Sequence, residues 1–357
     1  MNTEERATHL AAAISRFPDL VQTSATDLLA LVTAELGDPQ VLDTFRWHGS
    51  HLSRAVPPKT ILHIISGNTP AAGLQSLVRG LLLGSHNYCK LPTQGLPELM
   101  MFRDLLPPEL ASRVELGSNL HAEWLEDADA VVVFGGDDTI RQFRTITRVD
   151  QTFVGHGHKL SFGVVFHDPH LQSVRGAARD ASLYDQLGCL SPHVFYVADD
   201  AFGYAIKLAD EMERFQAEDP RRELSIAEAN AIRNRRAELS FRAANDKGLA
   251  VFHSTGSTAW TVVYDAGPDF PRSPLNRFVF VKPLPEDLEF ELAPVRRHLG
   301  AIGIWPASIE NARKLAEVGA NRLCPIGQMQ MPPWTWHQDS QPALTALVRW
   351  VDFESAT

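Results

Sequence analysis

TILHIISGNTPAAGLQSLVRGLLLGSHNYCKL, residues 60–91, decides the fold. Its opening, TILHIIS, reads as a short apolar strand. AAGLQSLVRGLLLGS then sets Leu74, Leu77, Val78 and Leu81 at helical spacing, and NYCKL reads as a second strand. A strand, a helix and a strand in succession predict a parallel βαβ unit, because only such a crossover brings the second strand alongside the first in the same direction.

The alternation continues outward. PELMMFRDLL and HAEWLEDA read as helices around the strand RVELG. AVVVFG (130–135) is a buried strand, DDTIRQFRTI a helix, and QTFVG and KLSFGVVF are strands. A helix over 171–185, a turn at Cys189, a strand over 193–198 and a long helix from 201 follow. The polar stretch RRELSIAEANAIRNRRAELSFRAA reads as a solvated helix face. GLAVFHS, AWTVVYD and RFVFVKPL are β-rich, 307–318 is helical, and the tail is rich in tryptophan and proline. Residues 1–58 read as helical and amphipathic, ending at Pro57-Pro58. The pattern is α/β and doubly wound, a class whose nucleotide sites lie in loops beyond the strands' C-terminal ends. The domain break is expected near Gly155-His156-Gly157.

A length of 357 residues suggests two domains or one large α/β unit. With 44% hydrophobic and 21% charged residues the chain reads as an ordinary soluble globular protein. A net charge of −10 argues against nucleic-acid binding, which needs a basic face. Three scattered cysteines without a CxxC pair suit a reducing compartment and predict neither a disulfide framework nor a zinc site. The acidic N-terminus does not read as a signal peptide, and no run approaches the roughly 18 apolar residues of a membrane span. The expectation is cytoplasmic.

Several motifs carry chemistry. The first strand has no GxGxxG after it, so the Rossmann fingerprint is missing. SGNTPAAG (66–73) follows instead, where Asn68 suits a helix cap and Pro70 a first helical position. VFGGDDTI (133–140) opens a helix after a strand, a ready anion site. It resembles the GGDGT of lipid and NAD kinases, but Asp138 replaces the last glycine and two carboxylates would meet the phosphates. YDQLGCLSPHVFYV (184–197) puts Cys189 in a turn between a helix-like and a strand-like segment. A lone cysteine more often packs in a core, whereas a thiol at a chain reversal is presented to something. GHGHKLSFGVV (155–165) holds His156 and His158. WTWHQDSQPALTALVRWVD (334–352) sets His337 and Asp339 on one strand-like face with no third ligand, so no metal site is expected.

Taken in order, these pieces resemble the aldehyde dehydrogenase superfamily. SGNTPAAGLQSLVRGLLLGSHNYCKLPTQGLPEL is similar to its Asn-x-Pro turn, helix, glycine turn and strand ending in lysine. ADAVVVFGGDDTIRQF is similar to its cofactor-facing strand–Gly–helix, and GHGHKLSFGVV stands at its Glu-Leu-Gly-Gly-Lys turn. DQLGCLSPH and the tail PPWTWHQDSQPALTALVRWVD most resemble the acyl-CoA reductases, including the fatty-acid reductase of bacterial luminescence. The likeness runs from about residue 59 to the C-terminus.

The resemblance implies two doubly wound α/β domains with the active site in the cleft between them. The expected organisation is an N-terminal helical segment (1–58), a cofactor-binding domain (59–154), a catalytic domain (155–324) and a C-terminal segment (325–357). It implies that Cys189 attacks an acyl-CoA, that Asn68 and the Cys189 N–H stabilise the oxyanion, and that His156 or His158 delivers a proton. Ser66, Lys90, Thr93, Gly135 and Gly136 fall on the cofactor positions. NAD-preferring relatives often carry a glutamate three residues after the lysine. Thr93 stands there, so the expected cofactor is NADPH.

In one place the pattern departs. Hydrolytic relatives place a glutamate four residues before the lysine aligned with Lys159, and Gly155 stands there. Without a base for water, an acyl-enzyme thioester should await hydride, which implies aldehyde formation. The alternatives are an acyltransferase using the same cysteine without redox chemistry, a CoA-acylating aldehyde dehydrogenase running oxidatively, or a catalytically silent scaffold subunit. The implied partners are acyl-CoA or an acyl carrier, and either a homo-oligomer or an acyl-donating partner enzyme.

Overall fold

Residues 60–91 form the parallel unit that their pattern predicts: strand β3 (Thr60–Ile64), helix α3 (Pro70–Leu83) and strand β4 (His86–Lys90), numbered in chain order. Leu74, Leu77, Val78 and Leu81, the helical stripe, are fully buried. These coordinates are a computed structural model, which describes the chain apart from Asp19, Asn68, Thr69 and residues 355–357. The chain divides into two units: Met1–His158 with Pro333–Thr357, and Lys159–Pro332.

In the first unit a five-stranded parallel sheet runs in the order β5-β4-β3-β6-β7, with β5 (Val114–Gly117), β6 (Ala130–Phe134) and β7 (Thr152–His156). All five residues of β6, Ala-Val-Val-Val-Phe, are buried, as expected for a parallel strand covered on both faces. The chain winds from β3 outward to β5, then returns to β6 on the other side. β3 and β6 therefore flank the switch point where such sheets bind ligands. Helices α4 (Pro97–Asp104), α5 (Pro108–Ala111) and α6 (Ala122–Asp127) precede β6, α7 (Asp137–Ile146) follows it, and α1 (Thr3–Ile14) and α2 (Ala25–Leu36) pack with α3 in one core. Both N-terminal helices start with capping boxes, Asn2 with Glu5 and Ser24 with Asp27.

The helical reading of 1–58 fails over 46–56. Arg46–His48 (β1) and His51–Val56 (β2) form an antiparallel hairpin turned at Gly49, whose φ is +63°, and the C-terminal strand β15 (Arg349–Phe353) completes a three-stranded sheet. β2 buries only Ser53 and Ala55, an every-second-residue pattern of small side chains. Its partner β15 is far away in sequence, so local periodicity had nothing to detect.

The second unit is a seven-stranded sheet ordered β10-β11-β12-β9-β8-β13-β14. Its strands are β8 (Leu160–Val165), β9 (Pro192–Val197), β10 (Leu249–His253), β11 (Thr261–Asp265), β12 (Phe278–Pro283), β13 (Leu299–Trp305) and β14 (Arg322–Pro325). All neighbours are parallel except β10 and β11. Helices α8 (Val174–Ser182), α9 (Ala201–Glu218), α10 (Ile226–Ala243), α11 (Leu288–Leu292) and α12 (Ile309–Leu315) lie among them. Local pattern predicts no strand over 285–306 or 319–325, yet β13 and β14 lie there. β13 carries glycines at 300 and 303, and β14 is four residues long, so neither presents a sustained pattern. Gly155, near the expected domain break, is a ladder residue of β7 opposite Val133, and the unit boundary falls after His158.

Candidate active site

Cys189 lies in the turn between a short 3-10 segment, Leu183–Gln186, and β9. It is exposed, while Cys89 and Cys324 are buried and no disulfide joins the three. Burial pushes both buried thiols above the ordinary range, Cys324 to about 11. Of the three, only Cys189 is open to an external electrophile.

The approach to this turn is built against backbone preference. Tyr184, Asp185 and Gln186 have φ of 52°, 53° and 62°, a left-handed run without glycine, costing on the order of 1–2 kcal/mol per residue. A second run, Leu275, Asn276 and Arg277, has φ of 62°, 59° and 66°. Each run stabilises the other. Buried Arg277 pairs with Asp185 at 2.9 Å. The fully buried Gln186 amide donates to the carbonyls of Pro192 (2.8 Å) and Phe278 (2.9 Å) and accepts from the Phe278 N–H (2.7 Å). Behind the turn, Gln330 donates to the Ser191 hydroxyl (3.0 Å) and the Asp180 carbonyl (3.2 Å). The Asp180 carboxylate accepts from the N–H groups of Gly327 and Met329, and burial raises its pKa to about 7. The thiol-bearing turn is thus exposed outward and fixed inward.

In the first unit the candidate cofactor residues gather at the C-terminal ends of β3, β4 and β6. Ser66 follows β3, Lys90 ends β4 and its carbonyl accepts from the Ile65 N–H (2.9 Å), and Gly135 and Gly136 join β6 to α7. A Cβ on Gly67 would meet the Gln94 side-chain amide and lie 3.2 Å from the Pro92 Cβ, so the loop after β3 passes close to the loop after β4 here. A Cβ on Gly136 would meet nothing within 4 Å, and Thr93 is exposed. Asp137 and Asp138 occupy the first turn of α7. Asp138 pairs with Arg141, and Asp137 accepts from the His158 N–H (3.3 Å).

The two candidate histidines differ. His156 is buried, its Nδ1 is 2.8 Å from Asp339, and its ring stacks on Phe134. His158 is exposed. Asp339 lies in a 3-10 turn, Gln338–Ser340, rather than on the strand-like face expected with His337.

Residues 5–350 match the family described as acyl-CoA reductase (LuxC). The chain belongs to that family. It is an acyl reductase, an enzyme that forms an aldehyde. Similar curated proteins are the long-chain acyl-protein thioester reductases of Vibrio harveyi, 25% identical over 94% of this chain and 72% of theirs, and of Aliivibrio fischeri, 25% identical over 93% and 71%. Solved structures of like fold include an aldehyde dehydrogenase from Anabaena variabilis (TM-score 0.66, 14% identical, 100% of this chain and 90% of that one). Another is aldehyde dehydrogenase C from Pseudomonas syringae (TM-score 0.67, 11% identical, 99% and 85%). The aldehyde dehydrogenase fold read from the motifs is therefore the fold of this reductase.

The reductase's sequence named Cys189, Ser66, Lys90, Thr93, Gly135, Gly136, His156 and His158, and all are described; Asn68 lies outside the described residues. Sequence reasoning missed Gln186, which sits inside the motif DQLGCLSP but whose partner Phe278 is 92 residues away. It also singled out His156 and Asp339 separately, with no signal that they meet across 183 residues.

Proposed function

We propose that this reductase takes the acyl group of an acyl-CoA, or of an acyl-protein thioester, onto Cys189 and releases it as an aldehyde at the expense of NADPH. The Cys189 sulfur adds to the thioester carbonyl, the donor thiolate leaves, and the acyl group is held as a Cys189 thioester. The backbone N–H of Cys189 and the Asn68 amide stabilise the oxyanion. NADPH, when bound, would provide the hydride that the thioester carbon accepts. As the carbonyl re-forms, the Cys189 sulfur leaves as thiolate and the aldehyde departs. The net reaction consumes one proton, and exposed His158 suits its delivery better than His156, which is buried against Asp339.

The observation that carries this reading is the single exposed thiol on a turn fixed from behind. The fit to the cofactor rests on the open space at Gly136, on Lys90 as the last residue of β4 and on an exposed residue 93 without a carboxylate. The residues fit: Ser66, Lys90 and Thr93 would hold the adenosine end and Gly135-Gly136 would admit the phosphates. Gly155 offers no base to activate water, which favours aldehyde over acid. The long-chain acyl-protein substrates of the curated relatives favour a protein-borne thioester among the donors. The test is incubation with acyl-CoAs of graded chain length, with NADPH or NADH, while aldehyde is measured. Aldehyde formed with NADPH supports the reading. Acyl transfer to an acceptor without cofactor oxidation would make the chain an acyltransferase.

A further inference from the structure

Ser161 is a polar residue at the N-terminal end of β8 and is fully buried. The pairing on both sides of β8 slips at this point. Against β13 the register runs from Leu160 opposite Leu299 to Phe162 opposite Ile302, leaving Gly300 and Ala301 facing Ser161. Against β9 it runs from Ser161 opposite Pro192 to Gly163 opposite Phe195. A bulge leaves ladder groups unpaired and re-aims the chain beside it, which is why bulges gather next to active sites.

One hydroxyl fills this gap. The Ser161 Oγ accepts from the Ala301 N–H (3.0 Å) and donates to the Cys189 carbonyl (2.7 Å). The loop that carries the thiol is thereby tied to two strands of the sheet at the residue that bears it. Gly300 makes room for the tie: a Cβ there would sit 3.0 Å from the Ser161 Oγ and 3.5 Å from the Cys189 carbonyl oxygen. Gln186 and Gln330 hold the turn just after Cys189, at Pro192 and Ser191, and Ser161 bonds the backbone of the cysteine itself.

We propose that Ser161 is a positioning residue for the acyl-transfer step: it fixes the Cys189 backbone so that sulfur and N–H face one carbonyl together. This rests on Cys189 being the acyl acceptor. An attacking atom must be aligned with the carbonyl while the oxyanion meets its donor, and a displacement of about 1 Å can cost on the order of 10²-fold in rate. Alkylation by a small reagent at an exposed thiol needs no such alignment.

The test compares two rates at Cys189 in the full chain: single-turnover acylation by acyl-CoA without NADPH, read by intact mass, and alkylation by iodoacetamide. In Ser161→Ala, acylation and kcat should fall by about 10–10²-fold with KM little changed, while alkylation stays within a few-fold. Gly300→Ala, which crowds the same hydroxyl, should reproduce the pattern, and Ser161→Thr, which keeps the hydroxyl, should restore most of the acylation. Equal losses of acylation and alkylation, or losses that track the melting temperature, would reduce Ser161 to a structural role and overturn the proposal. Unchanged acylation in a folded Ser161→Ala would overturn it as well. If the wild type itself takes no acyl group on Cys189, the acceptor reading falls, and this inference with it.

Discussion

Replacing Gln186 with alanine removes the amide that joins the two left-handed runs. Three hydrogen bonds disappear. The Phe278 carbonyl keeps the Ser273 hydroxyl as a partner at 2.6 Å, so the groups chiefly stranded are the Phe278 N–H and the Pro192 carbonyl. Each buried orphan costs about 1–3 kcal/mol, which puts Gln186→Ala about 2–6 kcal/mol below the wild type. Glycine at 186 loses the same bonds but relieves a φ of 62°, so Gln186→Gly should be about 1 kcal/mol more stable than the alanine variant. Such an order is unusual, since glycine is normally the worse substitute. Urea unfolding of the three proteins measures it, and hydrogen exchange of the Phe278 amide reports the local loss directly. A Gln186→Ala variant within about 0.5 kcal/mol of wild type, the range of surface substitutions, would refute the reasoning, as would glycine falling below alanine.

Asp180 should make the second unit pH-sensitive. Burial holds its carboxyl up at about 7, above its ordinary value, so the fold favours the protonated form. Its contribution to stability is full below the ordinary carboxylate range near pH 4 and is lost as pH rises toward about 7. Asp180→Asn should flatten that part of the stability–pH curve, and an unchanged slope contradicts the assignment. Thr93→Glu should weaken NADPH binding far more than NADH, through repulsion of the 2′-phosphate, in calorimetric titrations; equal losses would show that residue 93 does not meet the ribose.

The parallel architecture was legible where chemistry is local. The apolar run 130–134 and the stripe Leu74, Leu77, Val78 and Leu81 carry their structure in their spacing. The β1–β2 hairpin was not, because its third strand is supplied by residues 349–353 and its buried face holds only Ser53 and Ala55. The exposed thiol of Cys189 followed from its place at a chain reversal. What fixes that thiol did not, since Ser161, Gln186, Arg277 and Gln330 are ordinary polar residues whose value lies in distant backbone partners. A left-handed run at 184–186 has no composition signature when glycine is absent from it.

The central claim is that Cys189 holds the acyl group until hydride arrives. Gly155→Glu is a poor probe of it, because a Cβ at 155 would already lie 3.0 Å from Phe153 and 3.1 Å from Ile140. The wild type is the better subject. Intact-mass analysis of wild type and Cys189→Ala, after mixing with acyl-CoA alone and then adding NADPH, follows the intermediate itself. The account predicts one acyl adduct on the wild type, long-lived without cofactor, absent from the variant and discharged as aldehyde when NADPH is added. An adduct that persists in Cys189→Ala, or rapid release of free acid from the wild type without cofactor, would contradict it.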